Sequence, residues 1–245
     1  MSVLLVERFS PYGLSHWVVL VLFAVGAVVL ITGGNRYRDT AVADWISKGL
    51  AAAILAVQVP HTIYTLLPGQ FDINTSLPMQ LSDLAWMAAA VALWTHRQWA
   101  FALTYYWGLT LEPQALLTPE VDGFDFPHLD FLVFFSYHLL VVWGALYLTF
   151  GLSMRPRWRD YGIAVGATLC WGLVTLTFNS VAGSNYGFLN EKPAVGSLLN
   201  LLGDWPWYLL SELALGLAVW ALITWPWVRT SPRRAGTRPG PASTP

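Results

Sequence analysis

The sequence predicts an all-α polytopic membrane bundle with seven transmembrane helices, and three observations predict it. Hydrophobic residues fill 56% of the 245 positions and charged ones 11%, well below the roughly one quarter that covers the surface of a soluble domain. Windows of roughly 20 apolar residues, enough to span about 30 Å of hydrocarbon, recur between the charges. Aromatics reach 15%, with 14 Trp, as suits a chain with many helix ends at headgroup level. The net charge of −1 supplies no basic field and excludes a nucleic-acid partner. The single cysteine, Cys170, excludes an internal disulfide and a zinc centre of paired thiolates; lying mid-span, it reads as a small core residue.

Seven windows carry the bundle. Four hold no acidic residue, lysine or arginine: His16 to Gly33, Gly49 to Leu67, Phe131 to Gly151 and Tyr161 to Val181. Three hold one carboxylate each: Leu77 to Trp94 (Asp83), Gln98 to Leu117 (Glu112) and Pro206 to Trp227 (Glu212). Pro60, Pro78, Pro113 and Pro206 are expected to kink or start helices. The first window outruns the h-region of a cleaved signal peptide. Residues 1–228 therefore read as one transmembrane domain. Residues 229–245, rich in Pro, Gly, Ser, Thr and Arg, read as a disordered cytoplasmic tail.

Basic residues fix the expected orientation. With the N-terminus extracytoplasmic and the C-terminus cytoplasmic, eleven Lys and Arg fall at cytoplasmic ends and only Arg8 and Lys192 outside. The outer loops collect Asp72, Glu120, Asp122, Asp125, Asp130, Glu191 and Asp204. The expected location is the cell membrane.

An ionisable group at the centre of a span costs roughly 2.5 to 3.5 kcal/mol, so the depth of such groups is informative. At about 1.5 Å per residue from the outer helix ends, Ser82 and Glu112 lie about 8 Å deep, His61, Asp83 and Glu212 about 9 Å, and His138 about 10 Å. The cytoplasmic halves are nearly pure hydrocarbon. This asymmetry predicts one wet cavity opening toward the outer leaflet. Taken singly, Asp83, Glu212 and Asn179 read as hydrogen-bonded glue between helices. His16 and His96 read as interfacial and His128 as a loop residue. His138 and Glu112, each isolated in an apolar helix at the common depth, favour a functional role.

A hydroxyl nucleophile needs a base and a group to orient it. Ser82 with His138 and one of Glu112, Asp83 or His61 supplies that set, and the bond within reach at this depth is a phospholipid glycerol ester. The expected partners are therefore membrane lipids. A metal site from His61, His138, Glu112 and Glu212 would lack any His pair at i, i+4, so no metal or cofactor is expected. Two alternatives stay open: a proton-coupled transporter, although no internal repeat is visible, and a non-enzymatic lipid-binding protein.

Three stretches carry a family likeness: Leu77-Pro78-Met79-Gln80-Leu81-Ser82-Asp83; Glu112-Pro113-Gln114-Ala115-Leu116-Leu117-Thr118-Pro119 with the later His138; and Asn185-Tyr186-Gly187-Phe188-Leu189, Lys192-Pro193 and Leu202-Gly203-Asp204-Trp205-Pro206-Trp207-Tyr208. Jointly they resemble the YwaF-like integral membrane proteins, which have bacterial members and a mammalian relative described as an ether-phospholipid acyltransferase. The resemblance implies a cysteine acyl acceptor paired with a histidine on a later span. The cysteine's place falls on Ser82 and the histidine's on His138, while a family histidine two positions earlier is Gln80. Serine is much less acidic than a thiol, so this substitution demands more of His138 and its carboxylate. Together these readings assign catalysis to Ser82, His138 and Glu112, and substrate contacts to His61, Gln80, Asp83, Gln114, Asn179, Asn185, Tyr186 and Glu212. The outer loop from Asn185 to Trp207 either folds over the cavity or is anchored by Tyr186, Trp205 and Trp207 in the aromatic belt.

Overall fold

The computed structural model describes residues 8–119, 121, 123–192 and 201–229. The helices are α1 (Leu14–Tyr37), α2 (Ala41–Thr65), α3 (Leu81–Thr95), α4 (Gln98–Thr110), α5 (Glu112–Leu117), α6 (Leu129–Leu146), α7 (Trp158–Ala182) and α8 (Trp207–Arg229). A π-helical stretch, Tyr147–Gly151, prolongs α6, and a 3-10 turn, Tyr186–Phe188, lies between α7 and α8. Among the described residues there is no strand, only an isolated bridge from Arg8 to Phe124. The expected tail from 230 onward, and positions 120, 122 and 193–200 of the connecting loops, lie outside the described residues.

Five helices, α1, α2, α6 with its π extension, α7 and α8, have 23 to 25 residues and are apolar enough to cross a membrane. The third and fourth expected spans differ. α3 has 15 residues because Pro78 cannot donate to a helical ladder and biases Leu77 toward extended backbone, so the helix opens only at Leu81. Its start is capped by the Gln80 N–H, which donates to Asp83 Oδ2 at 2.9 Å. The fourth span divides at Leu111: Pro113 lies in the first turn of α5 and lacks an amide, and the ladder resumes with Gln114 N–H to Leu111 O at 3.0 Å. α2, by contrast, runs unbroken through Pro60, and Pro206 immediately precedes α8.

The short helices form the centre. α3 and α4 are joined by His96, in the left-handed conformation at φ 51°, and by Arg97. Buried alanines at 85, 88, 89 and 92 bring the α3 backbone close to its neighbours. They share one core with Phe101, Tyr105, Tyr106 and Trp107 of α4, Val141 of α6, Ala164 of α7 and Trp220 of α8. α6 has 56% of its apolar window buried but α1 only 11%, so α1 presents most of its surface to lipid. α1 leans on α6 at glycines: a Cβ on Gly34 would fall 2.6 Å from Gly151 Cα, and one on Gly26 would overlap the Trp143 indole.

Two assignments change. Cys170 is exposed on α7 instead of packed in the core, because a lipid-facing surface is as apolar as a protein-facing one and hydropathy does not separate them. His16 is fully buried, not interfacial: Nδ1 accepts from the Tyr12 N–H at 2.8 Å, and Nε2 meets Leu116 O at 2.7 Å. His96 Nε2 bonds Ser47 Oγ at 2.9 Å, while that hydroxyl donates to Leu93 O at 2.7 Å, which ties the α3–α4 corner to α2. His128 caps α6, accepting from the Asp130 N–H at 3.3 Å.

Candidate functional site

The break at Leu111 places Glu112 at the opening of α5 against α6. There it meets His138: Nδ1 lies 2.5 Å from Glu112 Oε2, with the two residues 3% and 1% exposed. Where a neutral imidazole meets a carboxylate, Nδ1 donates and Nε2 keeps a lone pair. Among the described residues no protein group bonds Nε2. Glu112 Oε1 is buried without a hydrogen-bond partner. The imidazole is held by the rings of Phe134 and Tyr137, with centroids 4.4 and 4.0 Å away.

Ser82, half-buried, is the second residue of α3, where the positive end of the helix dipole favours negative charge. It makes no hydrogen bond to His138; its side chain interacts instead with Tyr137. Asp83, besides capping α3, lies within electrostatic range of both Glu112 and His138. Ser82, Asp83, Glu112, Tyr137 and His138 thus form one neighbourhood drawn from α3, α5 and α6. Sequence reasoning missed Tyr137. Its signal was its place next to His138 in an otherwise apolar helix, hidden because aromatics in such a chain are read as belt residues.

His61 and Glu212 do not join this group. His61 is half-buried, without a hydrogen bond among the described residues, and feels the charge of Asp130, at the start of α6. Glu212 is exposed. A shared depth defines a plane, and within a plane residues face different ways around their helices. Gln114 donates to Thr110 O at 2.9 Å, back across the break to the last residue of α4. Among the described residues no three His, Cys, Asp or Glu side chains form a metal-ligand group.

The remaining sequence-selected residues shape the loop after α7. Asn179 is fully buried; its amide donates to Tyr186 O at 2.9 Å and its carbonyl accepts from Tyr186 N–H at 3.0 Å and Ser184 O–H at 2.8 Å. The Tyr186 hydroxyl donates to Ile73 O and accepts from Leu77 N–H, both at 3.0 Å, and burial pushes its pKa up. Asn185 closes the loop on itself, accepting from the N–H groups of Asn190 and Glu191 and donating to Glu191 O. Gln80 Oε1 accepts from Gly187 N–H at 2.8 Å, and Trp171 donates to Met79 O at 2.9 Å. The described part of this loop therefore clamps the segment that leads into Ser82.

Two surface hollows lie at the opposite end of the bundle, one lined by Arg97, Arg157 and Arg159 and the other by Arg38, Asp44 and His96. No curated protein and no solved structure matches the chain. A family model described as the TMEM164 family matches residues 11–224, from before α1 into α8 and including every residue of the Glu112–His138 neighbourhood. With most of its length matched and five helices fit to cross a bilayer, the chain belongs to the TMEM164 family and is a multi-pass membrane protein.

Proposed function

We propose that this chain is a membrane-embedded acyltransferase or lipid hydrolase acting on phospholipid-type substrates in the outer leaflet, with Ser82 as nucleophile, His138 as general base and Glu112 as the group that orients it. The observation that carries this reading is the 2.5 Å bond between His138 Nδ1 and Glu112, which commits one ring nitrogen and leaves Nε2 as an acceptor. In this mechanism Nε2 takes the hydroxyl proton as Ser82 Oγ attacks an ester carbonyl. The tetrahedral intermediate expels the glycerol oxygen, which receives the proton from the imidazolium. Water or an acceptor alcohol then releases the acyl group from Ser82. The dipole of α3 favours the negative charge that develops at its first turn. The motif likeness to YwaF-like proteins supports the same assignment of Ser82 and His138. The accompanying topology has seven crossings, α4 and α5 together forming one of them, with the N-terminus outside and the arginine-bearing end in the cytoplasm.

One observation favours a second reading, a non-enzymatic lipid-binding protein: Ser82 is not hydrogen-bonded to His138. A serine-reactive fluorophosphonate carrying an acyl-like chain separates the two. Incubated with the protein in liposomes and followed by peptide mass spectrometry, it labels Ser82 if the catalytic reading is right, and the label disappears in Ser82→Ala and in His138→Ala. Labelling at another residue, or undiminished labelling of a folded His138→Ala variant, overturns the assignment.

A further inference from the structure

At the end of the bundle away from His138, the start of α4 and the start of α7 meet around a hollow of about 340 Å³, within the roughly 300 to 1,000 Å³ range of small-ligand sites. The two helix starts are tied together by Gln98, whose amide donates to Asp160 Oδ2 at 2.7 Å and to Arg155 O at 3.1 Å. Asp160 is 2% exposed, and its Oδ2 also accepts from the backbone N–H of Arg157 at 2.9 Å. The buried carboxylate is thus engaged by neutral donors. Arg97, Arg157 and Arg159 line the hollow, all exposed, none with an ion pair or hydrogen bond from its side chain among the described residues.

The other arginines at this end among the described residues are occupied. Arg38 donates to Gly151 O at 2.9 Å, and Arg36, Arg155 and Arg229 lie over the rings of Tyr37, Trp227 and Trp225. Arg97, Arg157 and Arg159 have no such partner among the described residues, and all three line one hollow. No side chain caps the start of α4, whereas Asp160 caps that of α7 through the Arg157 N–H, and both helices point the positive end of a dipole to this side. Trp99, 45% exposed, also lines the hollow, as suits a residue at headgroup level.

We propose that this hollow binds the phosphate of an anionic phospholipid headgroup, held by Arg97, Arg157 and Arg159. Its position makes it a second lipid site, separate from the Ser82 neighbourhood and independent of whether that neighbourhood is catalytic.

The test is native mass spectrometry of the full chain released from detergent, with short-chain phosphatidylglycerol, short-chain phosphatidylcholine or inorganic phosphate added. The wild-type chain is expected to retain phosphatidylglycerol in preference to phosphatidylcholine. The Arg157→Gln, Arg159→Gln double variant is expected to lose on the order of tenfold of that affinity with circular dichroism unchanged. An Arg36→Gln, Arg229→Gln variant, with the same loss of charge at the same end, is expected to keep it. Displacement of the lipid by millimolar inorganic phosphate would assign the site to free phosphate and keep the chemistry; resistance to displacement assigns it to the headgroup. Equal retention of the two lipids by the wild type, or an equal loss in the two double variants, overturns the proposal.

Discussion

His16 and His138 are both buried imidazoles, and their surroundings give them opposite capacities. His16 has both nitrogens committed to main chain, Nδ1 to the Tyr12 amide and Nε2 to the Leu116 carbonyl, which fixes a neutral tautomer and pins α1 to the end of α5. His138 has one nitrogen on the Glu112 carboxylate and the other without a protein partner. Burial alone therefore does not identify a chemical site. The informative feature is the unspoken-for nitrogen beside a carboxylate, which can take up and return a proton.

Breaking the His138 pair should give the largest effect. His138→Ala leaves Glu112 buried with neither oxygen paired and is expected to destabilise the fold by about 3 to 5 kcal/mol, with Glu112→Gln added in the same chain restoring part of that loss. Thermal unfolding of the two singles and the double in detergent measures the coupling, and additive effects would mean that the pair is not an energetic unit. On the chemical side, His138→Gln keeps a polar side chain but not the base, and ester turnover in liposomes should fall by about 10² to 10⁴-fold.

His16→Ala is expected to cost about 1 to 3 kcal/mol, since it strands the Leu116 carbonyl and the Tyr12 amide, while turnover per folded molecule stays at the wild-type value. A drop in turnover of the folded variant would erase the contrast between the two histidines. Tyr137→Phe sharpens it: the ring that packs on His138 remains and only the hydroxyl facing Ser82 goes. A lowered turnover with an unchanged melting temperature would give that hydroxyl a part in the chemistry. The smallest effect belongs to Cys170→Ser, within about 0.5 kcal/mol of wild type, and a membrane-permeable maleimide should label the native thiol without denaturant. Protection of Cys170 would place it in a protein contact.

How much was legible in the sequence varies by residue. The break before Glu112 was readable, because Pro113 cannot supply a helical amide in any environment. The capping role of Asp83, read from the sequence as interhelical glue or a substrate contact, emerges only once α3 is seen to start at Leu81. The exposure of Cys170 was not readable, and neither was the separation of His61 and Glu212 from the Glu112–His138 group. Each depends on which way a helix is rotated, and an apolar sequence in a bilayer carries little signal about rotation.

By itself the sequence determined that this chain is a helical membrane protein, since the hydrocarbon of a bilayer fixes both the length and the polarity of what can cross it. It also singled out the polar residues carried on apolar stretches, because an ionisable group there is costly. Only the tertiary structure decided which of those residues meet. The choice of Glu112 as the partner of His138, the commitment of both His16 nitrogens and the lining of one hollow by three arginines all follow from how helices pack and turn against one another, and that is settled by contacts between residues far apart in the chain.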